Sequence, residues 1–215
     1  MQFPRATHPF DTWMVREFPT VPFERYADDA ICHCQSEAQA KRLKDAIQQR
    51  LSACHLELHP TKTKIVFCKD DRRRQDHPEI QFDFLGFAFR PRVVKGKNGE
   101  MFVGFTPAIS PKAAKLVRQT VREWRLHLRS GSSIEDLAKE INPITRGWIN
   151  YYGVYYRSAL YRVFDHLDSY LTRWAMRKYK GLKNREVRTR AWLQKVQDCQ
   201  PQLFARWSML PSRAG

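Results

Sequence analysis

"FERYADDAIC" occupies residues 23–32, and at its centre two aspartates, Asp28 and Asp29, sit between a tyrosine and a short apolar run. The segments "FERY" and "AICHC" alternate in the manner of short strands, and Ala27-Asp28-Asp29 forms the turn between them. Adjacent carboxylates repel, so two of them in a tight turn need a positive neighbour. A lysine or arginine can supply it, or a metal can. Magnesium takes oxygen ligands and tolerates waters and substrate phosphates in its shell. Two-metal phosphoryl transfer uses carboxylates of this kind to clamp the attacking and leaving oxygens. On spacing alone, an Asp-Asp pair is a turn signal; the flanking strands and the preceding Tyr26-Ala27 favour the metal-binding reading.

Beyond the hairpin the pattern is mixed and then helical. Ser36 opens a helix with Gln39 completing a capping box, and Ala40, Leu43, Ile47, Leu51 and Cys54 mark its buried face. "LELHPTKTKIVFC" reads as loop and strand, "IQFDFLGFAFRP" as an aromatic strand interrupted by Gly86, and "RVVKGKNGEMFVGF" as a hairpin turning at 95–99. Ser110-Pro111 is a helix start. A helix over 112–129 puts Ala113, Leu116, Val117, Thr120, Val121, Trp124 and Leu128 on one arc. The opposite arc carries Lys112, Lys115, Arg118, Arg122, Arg125 and Arg129, against the single acid Glu123. A short helix over 134–141 ends at Asn142-Pro143. Leu160, Val163, Phe164, Leu167, Leu171 and Trp174 mark a long one that ends in Arg177-Lys178-Tyr179-Lys180, and a last helix spans 185–196.

The 215 residues carry a formal net charge of +16, with 42% hydrophobic and 13% aromatic residues, so the chain can bury a core and its partner is a polyanion, nucleic acid before membrane. The charge is uneven. Residues 1–100 hold 17 basic against 14 acidic side chains, and residues 101–215 hold 21 against 8. The second half is therefore the expected polyanion surface. Five cysteines, an odd number, with no secretory signal fit reduced thiols and a cytoplasmic location. Cys32, His33 and Cys34 alternate along a strand, so their side chains point to opposite faces, and a zinc site would have to draw on His55 and Cys68 elsewhere in the chain.

"RYADDAICHC" resembles the catalytic hairpin of the group II intron reverse transcriptase/maturase family, and the resemblance continues in order down the chain. "LELHPTKTKIV" is similar to the next palm motif, "FDFLGFAFRPR" to the strand that grips the primer, and "NPITRGWINYYG" to the signature of the maturase-specific domain X, which doubles as the thumb. "RAWL" and "PQLFARW" fit the family's closing segment, so the resemblance covers roughly residues 8–207. It implies an α+β fold: residues 1–105 as the C-terminal part of a palm, antiparallel strands plus helix, and residues 106–207 as an all-helical thumb.

The family's roles transfer by position. Asp28 matches the metal-binding carboxylate, for Mg2+ in the complete enzyme, and Asp29 its supporting neighbour. Tyr26 and Ala27 match positions near the primer end and the incoming nucleotide, Lys62 the lysine near the triphosphate, and Phe84, Leu85 and Gly86 the primer grip. The expected RNA contacts are the six bases of 112–129 with Arg146, Arg177, Lys178 and Lys180. The aromatic run Trp148, Tyr151, Tyr152, Tyr155 and Tyr156 can stack on bases or fill a core, with core the better reading for Trp148 and Tyr152. The implied partners are intron RNA, and an RNA template with a DNA primer in the complete enzyme. Only 25 residues precede Tyr26, so the fingers and first half of the palm, with the other metal-binding aspartate, are expected from a separate chain, from a longer protein of which this is a fragment, or to be lost. Two functions follow: RNA-directed DNA synthesis with splicing assistance, or RNA binding as a maturase-like module without catalysis.

Overall fold

The computed structural model describes residues 8–96 and 98–209, in the order α1 (Pro9–Glu17), β1 (Phe23–Tyr26), β2 (Asp29–Cys32), α2 (Glu37–Ser52), β3 (Phe82–Phe84), β4 (Phe87–Lys95), β5 (Met101–Ile109), α3 (Pro111–Glu123), α4 (Ile134–Tyr152), α5 (Ser158–Lys178) and α6 (Glu186–Cys199). The fold is α+β. The chain divides into two compact units: residues 1–67 with 77–79, and residues 68–76 with 80–215. This division falls earlier than the change from strand to helix near residue 105, because β5 delivers Ile109 into a cluster shared with α3 and α5.

In the first unit, β1 and β2 pair antiparallel with Phe23 opposite Cys32 and Tyr26 opposite Asp29. Met14, Val21 and Leu43 are buried, with Phe10, Trp13, Phe18, Phe23, Cys32, Cys34 and Ile47 packed on them. Ser36 caps α2 by accepting from the Gln39 N–H at 3.2 Å, whereas the Gln39 side chain accepts from Gln35 instead of closing the box on Ser36. Cys54, expected on the buried face, is exposed, because α2 ends at Ser52. The strand expected within 56–68 has no ladder; the Phe67 N–H bond to the Glu79 carbonyl at 2.9 Å and the Lys64 bond to the Glu79 carboxylate at 2.7 Å tie it to residues 77–79 instead.

In the second unit, β3, β4 and β5 form an antiparallel meander. Phe82 and Phe89 are cross-strand partners whose rings stack 4.8 Å apart. Lys95 pairs with Met101, so residues 96–100 make the expected hairpin loop, in which residue 97 lies outside the described residues. On the far edge of β5, Asp71 donates its N–H to the Val103 carbonyl and accepts the Val103 N–H on Oδ2, which occupies an otherwise open strand edge.

The helices bury two apolar clusters, and α5 contributes to both: Leu160, Val163 and Phe164 to one, Leu167, Leu171, Trp174 and Ala175 to the other. Two sequence expectations fail here. Helix α4 does not stop at Asn142-Pro143 but runs on to Tyr152. Asn142 Nδ2 donates to the Leu203 carbonyl, and its Oδ1 accepts from the Ala205 N–H, both at 2.8 Å. Those bonds hold the helix in place across the proline. Lys139, four residues before Pro143, is exposed, as is the proline, so water can serve the carbonyl that loses its donor.

The second correction concerns the basic helix. Helix α3 ends at Glu123, Arg125 takes a left-handed backbone (φ 46°), and 126–128 is a 3-10 turn. Continued as a helix, Leu126 would fall among the basic residues. The chain turns instead and buries Leu126 completely, leaving Leu128 about half exposed. Burying a leucine is worth roughly 1.5–3 kcal/mol, against roughly 1–2 kcal/mol for a left-handed non-glycine residue.

Asn142→Ala leaves the Ala205 N–H buried without a partner. It is expected to lower stability by roughly 2–3 kcal/mol and to increase amide exchange in 200–209, measured by chemical denaturation and hydrogen exchange. Unchanged exchange in that segment would contradict the tethering role.

Candidate catalytic hairpin and nucleic-acid interface

The β1–β2 turn contains two residues, Ala27 and Asp28, with Asp29 already the first residue of β2. Ala27 has φ 50°, so the first central position is left-handed in the manner of a type II′ turn, a place that favours glycine. The turn is braced by Arg25. Its Nε and Nη2 donate to Asp11 Oδ1 and Oδ2 at 2.6 and 3.0 Å, and Nη1 donates to the Ala27 carbonyl at 2.8 Å. The hydrogen bond donated to Asp11, the charge of Asp11 and the charge of Asp28 hold the Arg25 guanidinium above its ordinary value against the cost of desolvation. The positive neighbour expected for the carboxylates is thus Arg25, but its fork is spent on Asp11, a residue of α1. Tyr26, Ala27, Asp28 and Asp29 are all exposed at the tip.

The donor chemistry of the tip suits a hard cation such as magnesium, since both carboxylates offer oxygen to solvent. The number of donors does not suit a closed site. Among the described residues, no three His, Cys, Asp or Glu side chains gather where an ion could be held. Lys62 lies in the same unit, exposed in the turn that the Thr63 N–H to His59 carbonyl bond closes at 3.0 Å. The nearby cysteines behave as core: burial pushes the Cys32 thiol up to about 11, helped by Cys34, and raises Cys34 as well.

"FLGF" is a hairpin turn and not an interrupted strand. Phe84 pairs with Phe87, and Leu85 (φ 50°) and Gly86 (φ 77°) are both left-handed, the signature of a type I′ turn. Helix α4 grips this turn. Tyr151 Oη donates to the Leu85 carbonyl at 2.8 Å, and the Tyr152 ring lies under Gly86, where an added Cβ would meet Tyr152 Oη at 2.9 Å. Phe87 completes the cluster with ring centroids 5.2, 5.4 and 5.6 Å from Tyr151, Tyr152 and Tyr155. Trp148 and Tyr152 pack against the apolar core, as expected. Tyr151 and Tyr155 remain largely exposed. The sequence carried a signal for this grip, the aromatic run that ends α4, but nothing in it named Gly86 as the residue gripped.

The basic residues expected to meet RNA fall into four groups. Lys112, Lys115 and Arg122 stand exposed along α3 with Arg118 half-buried beside them, and Glu123 accepts from Gln119 instead of pairing with them. Arg146 and Lys180 are exposed. Arg129 is committed within the fold, forked onto Glu140 at 2.6 and 2.8 Å, and Lys178 donates to the carbonyls of Ser130 and Ser132 at 3.0 and 2.8 Å. Arg125 and Arg177 act on His127: Arg177 Nη1 donates to the His127 carbonyl, and both charges bear on the imidazole.

Comparison with known proteins gives two family matches in this order along the chain: "Reverse transcriptase (RNA-dependent DNA polymerase)" over residues 3–89, and "Group II intron, maturase-specific domain" over residues 114–192. A search of curated proteins finds no significant match. A reverse-transcriptase stretch thus leads into a maturase-specific stretch along one chain. The chain belongs to the group II intron reverse transcriptase/maturase family and carries its C-terminal region. Intron RNA and other nucleic acid are the partners this membership implies. Among the described residues, no helix is long and apolar enough to cross a membrane.

Gly86→Ala is expected to cost roughly 1–3 kcal/mol, through the left-handed backbone and the Tyr152 ring. Tyr152→Phe in the same background removes the nearest atom and should recover part of that loss. A denaturant-based double-mutant cycle reads the coupling; strictly additive effects would show that the ring and the turn do not press on each other.

Proposed function

We propose that this chain is the RNA-holding, maturase part of its family's enzyme, and that its Asp28–Asp29 hairpin is one contribution to a polymerase site completed elsewhere. The observation that carries the first part is the exposed face of α3: Lys112, Lys115, Arg118 and Arg122, with no carboxylate paired to any of them among the described residues. Phosphate contact there releases counterions, so affinity falls steeply with salt. Arg146 and Lys180 extend the set. Lys178 and Arg129 act chiefly on their own fold.

In the second part, Asp28 holds the divalent metal, Mg2+, and Asp29 supports it. The bound metal would stabilise the charge developing on the transferred phosphoryl group. Arg25 fixes the turn by tying the Ala27 carbonyl to Asp11, so Asp28 projects from a braced backbone. Tyr26 and Ala27 border the primer end and nucleotide, Lys62 meets the triphosphate, and Phe84, Leu85 and Gly86 meet the primer. A further carboxylate and the nucleotide pocket are supplied by the fingers and first palm half, carried on another segment or on a separate chain. The non-catalytic reading for these residues by themselves is favoured by one observation: two carboxylates cannot hold two metals in line.

Two outcomes test this. Lys115→Glu with Arg122→Glu should weaken RNA binding and flatten the log–log salt slope by about 0.7–0.9 per lost phosphate contact, with helicity unchanged by circular dichroism. Intron RNA should be bound more tightly than random RNA; equal affinities would remove the maturase reading and leave nucleic-acid binding. The purified 215-residue chain should leave a primer on an RNA template unextended. If a polypeptide bearing the first palm half restores synthesis, Asp28→Ala should abolish it, and an active Asp28→Ala enzyme would sink the metal assignment.

A further inference from the structure

The turn after α3 and the C-terminal half of α5 bring together a group of basic side chains that no ion pair with a carboxylate neutralises among the described residues. Arg125 stands on its left-handed backbone immediately before the 3-10 turn and is exposed. Tyr170, Arg173 and Arg177 follow one another along one face of α5, at helical spacing. Arg173 places its guanidinium carbon 5.3 Å from the centroid of the Tyr170 ring. The His127 imidazole lies 5.5 Å from the same ring, and Arg177 Nη1 donates to the His127 carbonyl at 3.3 Å. Two guanidiniums are therefore brought to one imidazole, Arg177 through the His127 carbonyl and Arg173 through the shared Tyr170 ring, and Arg125 precedes that histidine by two residues.

The electrostatics agree with the geometry. Burial and then the charges of Arg177, Arg173 and Arg125 hold the His127 imidazole below its ordinary value, and no carboxylate offsets them there. None of the three arginines forms an ion pair with a carboxylate among the described residues. His127 Nδ1 is buried and without a hydrogen-bond partner. Like charges held this close repel, and an orphaned polar atom costs free energy. A single tetrahedral oxyanion relieves the repulsion, because planar guanidinium forks match phosphate oxygens in pairs. Arg173 is already oriented by its stacking on Tyr170, which reduces the entropy lost on binding.

We propose that Arg125, Arg173 and Arg177, with His127 beside them, form a clamp for one backbone phosphate of bound RNA. The proposal rests on the RNA-holding reading above and sharpens it: this is a discrete site on the turn after α3 and on α5, where several bases meet one phosphate instead of one base meeting each. The ligand chemistry is a phosphodiester, and free phosphate shares it.

A clamp has a signature that a diffuse basic surface lacks. With the full chain and a labelled single-stranded RNA, Arg173→Gln and Arg177→Gln should each remove most of the effect of the double variant. The double variant should flatten the salt slope by about 0.7, the value for one phosphate on a single strand, and not by about 1.4 as two independent contacts would. Additive losses with the larger slope change, or no change at all, would overturn the clamp while leaving RNA binding by the chain intact. A second arm needs no RNA. Inorganic phosphate titrated into wild-type chain should shift the imidazole NMR signal that is missing in His127→Gln, and should raise its midpoint pH, since the anion offsets the charges of Arg177, Arg173 and Arg125 that act on the ring beside Tyr170. If phosphate moves that signal but the chain binds no RNA, the cluster is an anion site for free phosphate, and both the RNA clamp and the RNA-holding reading fall. An imidazole indifferent to phosphate overturns the clamp.

Discussion

Helix α5 has an apolar face that must be buried along nearly its whole length, from Leu160 to Ala175. No single neighbour covers a stripe of that length. The first half is covered by α3 and the end of β5, the second by α4, the 3-10 turn at Leu126 and the closing segment around Phe204 and Trp207. Each of these elements takes its place from that requirement. The closing segment is further secured by Arg206, which is buried and ion-paired to Asp168 of α5, and by the two bonds to Asn142. Removing one member of a buried ion pair strands the other in low dielectric, so this end of the chain is fixed by polar as well as apolar contacts.

The surface available to RNA follows from the same constraint. Because Leu126 has to reach the core, α3 cannot continue, and its basic stripe is cut after Arg122. The arginines beyond the cut are redistributed: Arg129 to Glu140, Arg125 to the neighbourhood of His127. A sequence that on a helical wheel shows one long cationic face therefore folds into a shorter face and a separate cluster. The grip of Tyr151 and Tyr152 on the Leu85–Gly86 turn has a comparable origin. The turn is left-handed at both central residues, and only a residue without Cβ leaves room for the Tyr152 ring.

Much of this was legible in the sequence. The hairpin at Asp28–Asp29, the caps at Ser36 and Ser110, the β4–β5 hairpin and the buried face of α5 all rest on local pattern, and local pattern is what a sequence displays. The misreadings share a cause. Pro143 signals a helix end, and Leu126 falls on the wrong arc of a wheel, but each is overruled by contacts with residues distant along the chain: Leu203 and Ala205 in one case, α4 and α5 in the other. The strand expected before residue 68 failed for the complementary reason, since β-propensity without a partner strand makes no ladder. At the candidate site, the carboxylates were visible from their spacing and the family resemblance. Their brace, Arg25 forked onto Asp11, was not, because it joins residues fourteen apart on different elements. The cluster around His127 was hidden for the same reason, although Arg125 and Arg177 had each been singled out.

The segment 68–76 belongs to the second unit, while 77–79 returns to the first before the chain leaves it for good. Asp71 is bonded to Val103 on one side of this excursion, and on the other Glu79 is bonded to Phe67 and Lys64 and His77 stacks on Phe67. A nick between 71 and 77 would therefore not produce two clean halves. One product would carry residues that belong to the second unit, and the other would carry residues 77–79 of the first. The natural place to divide this protein into independently expressed parts therefore lies outside that excursion.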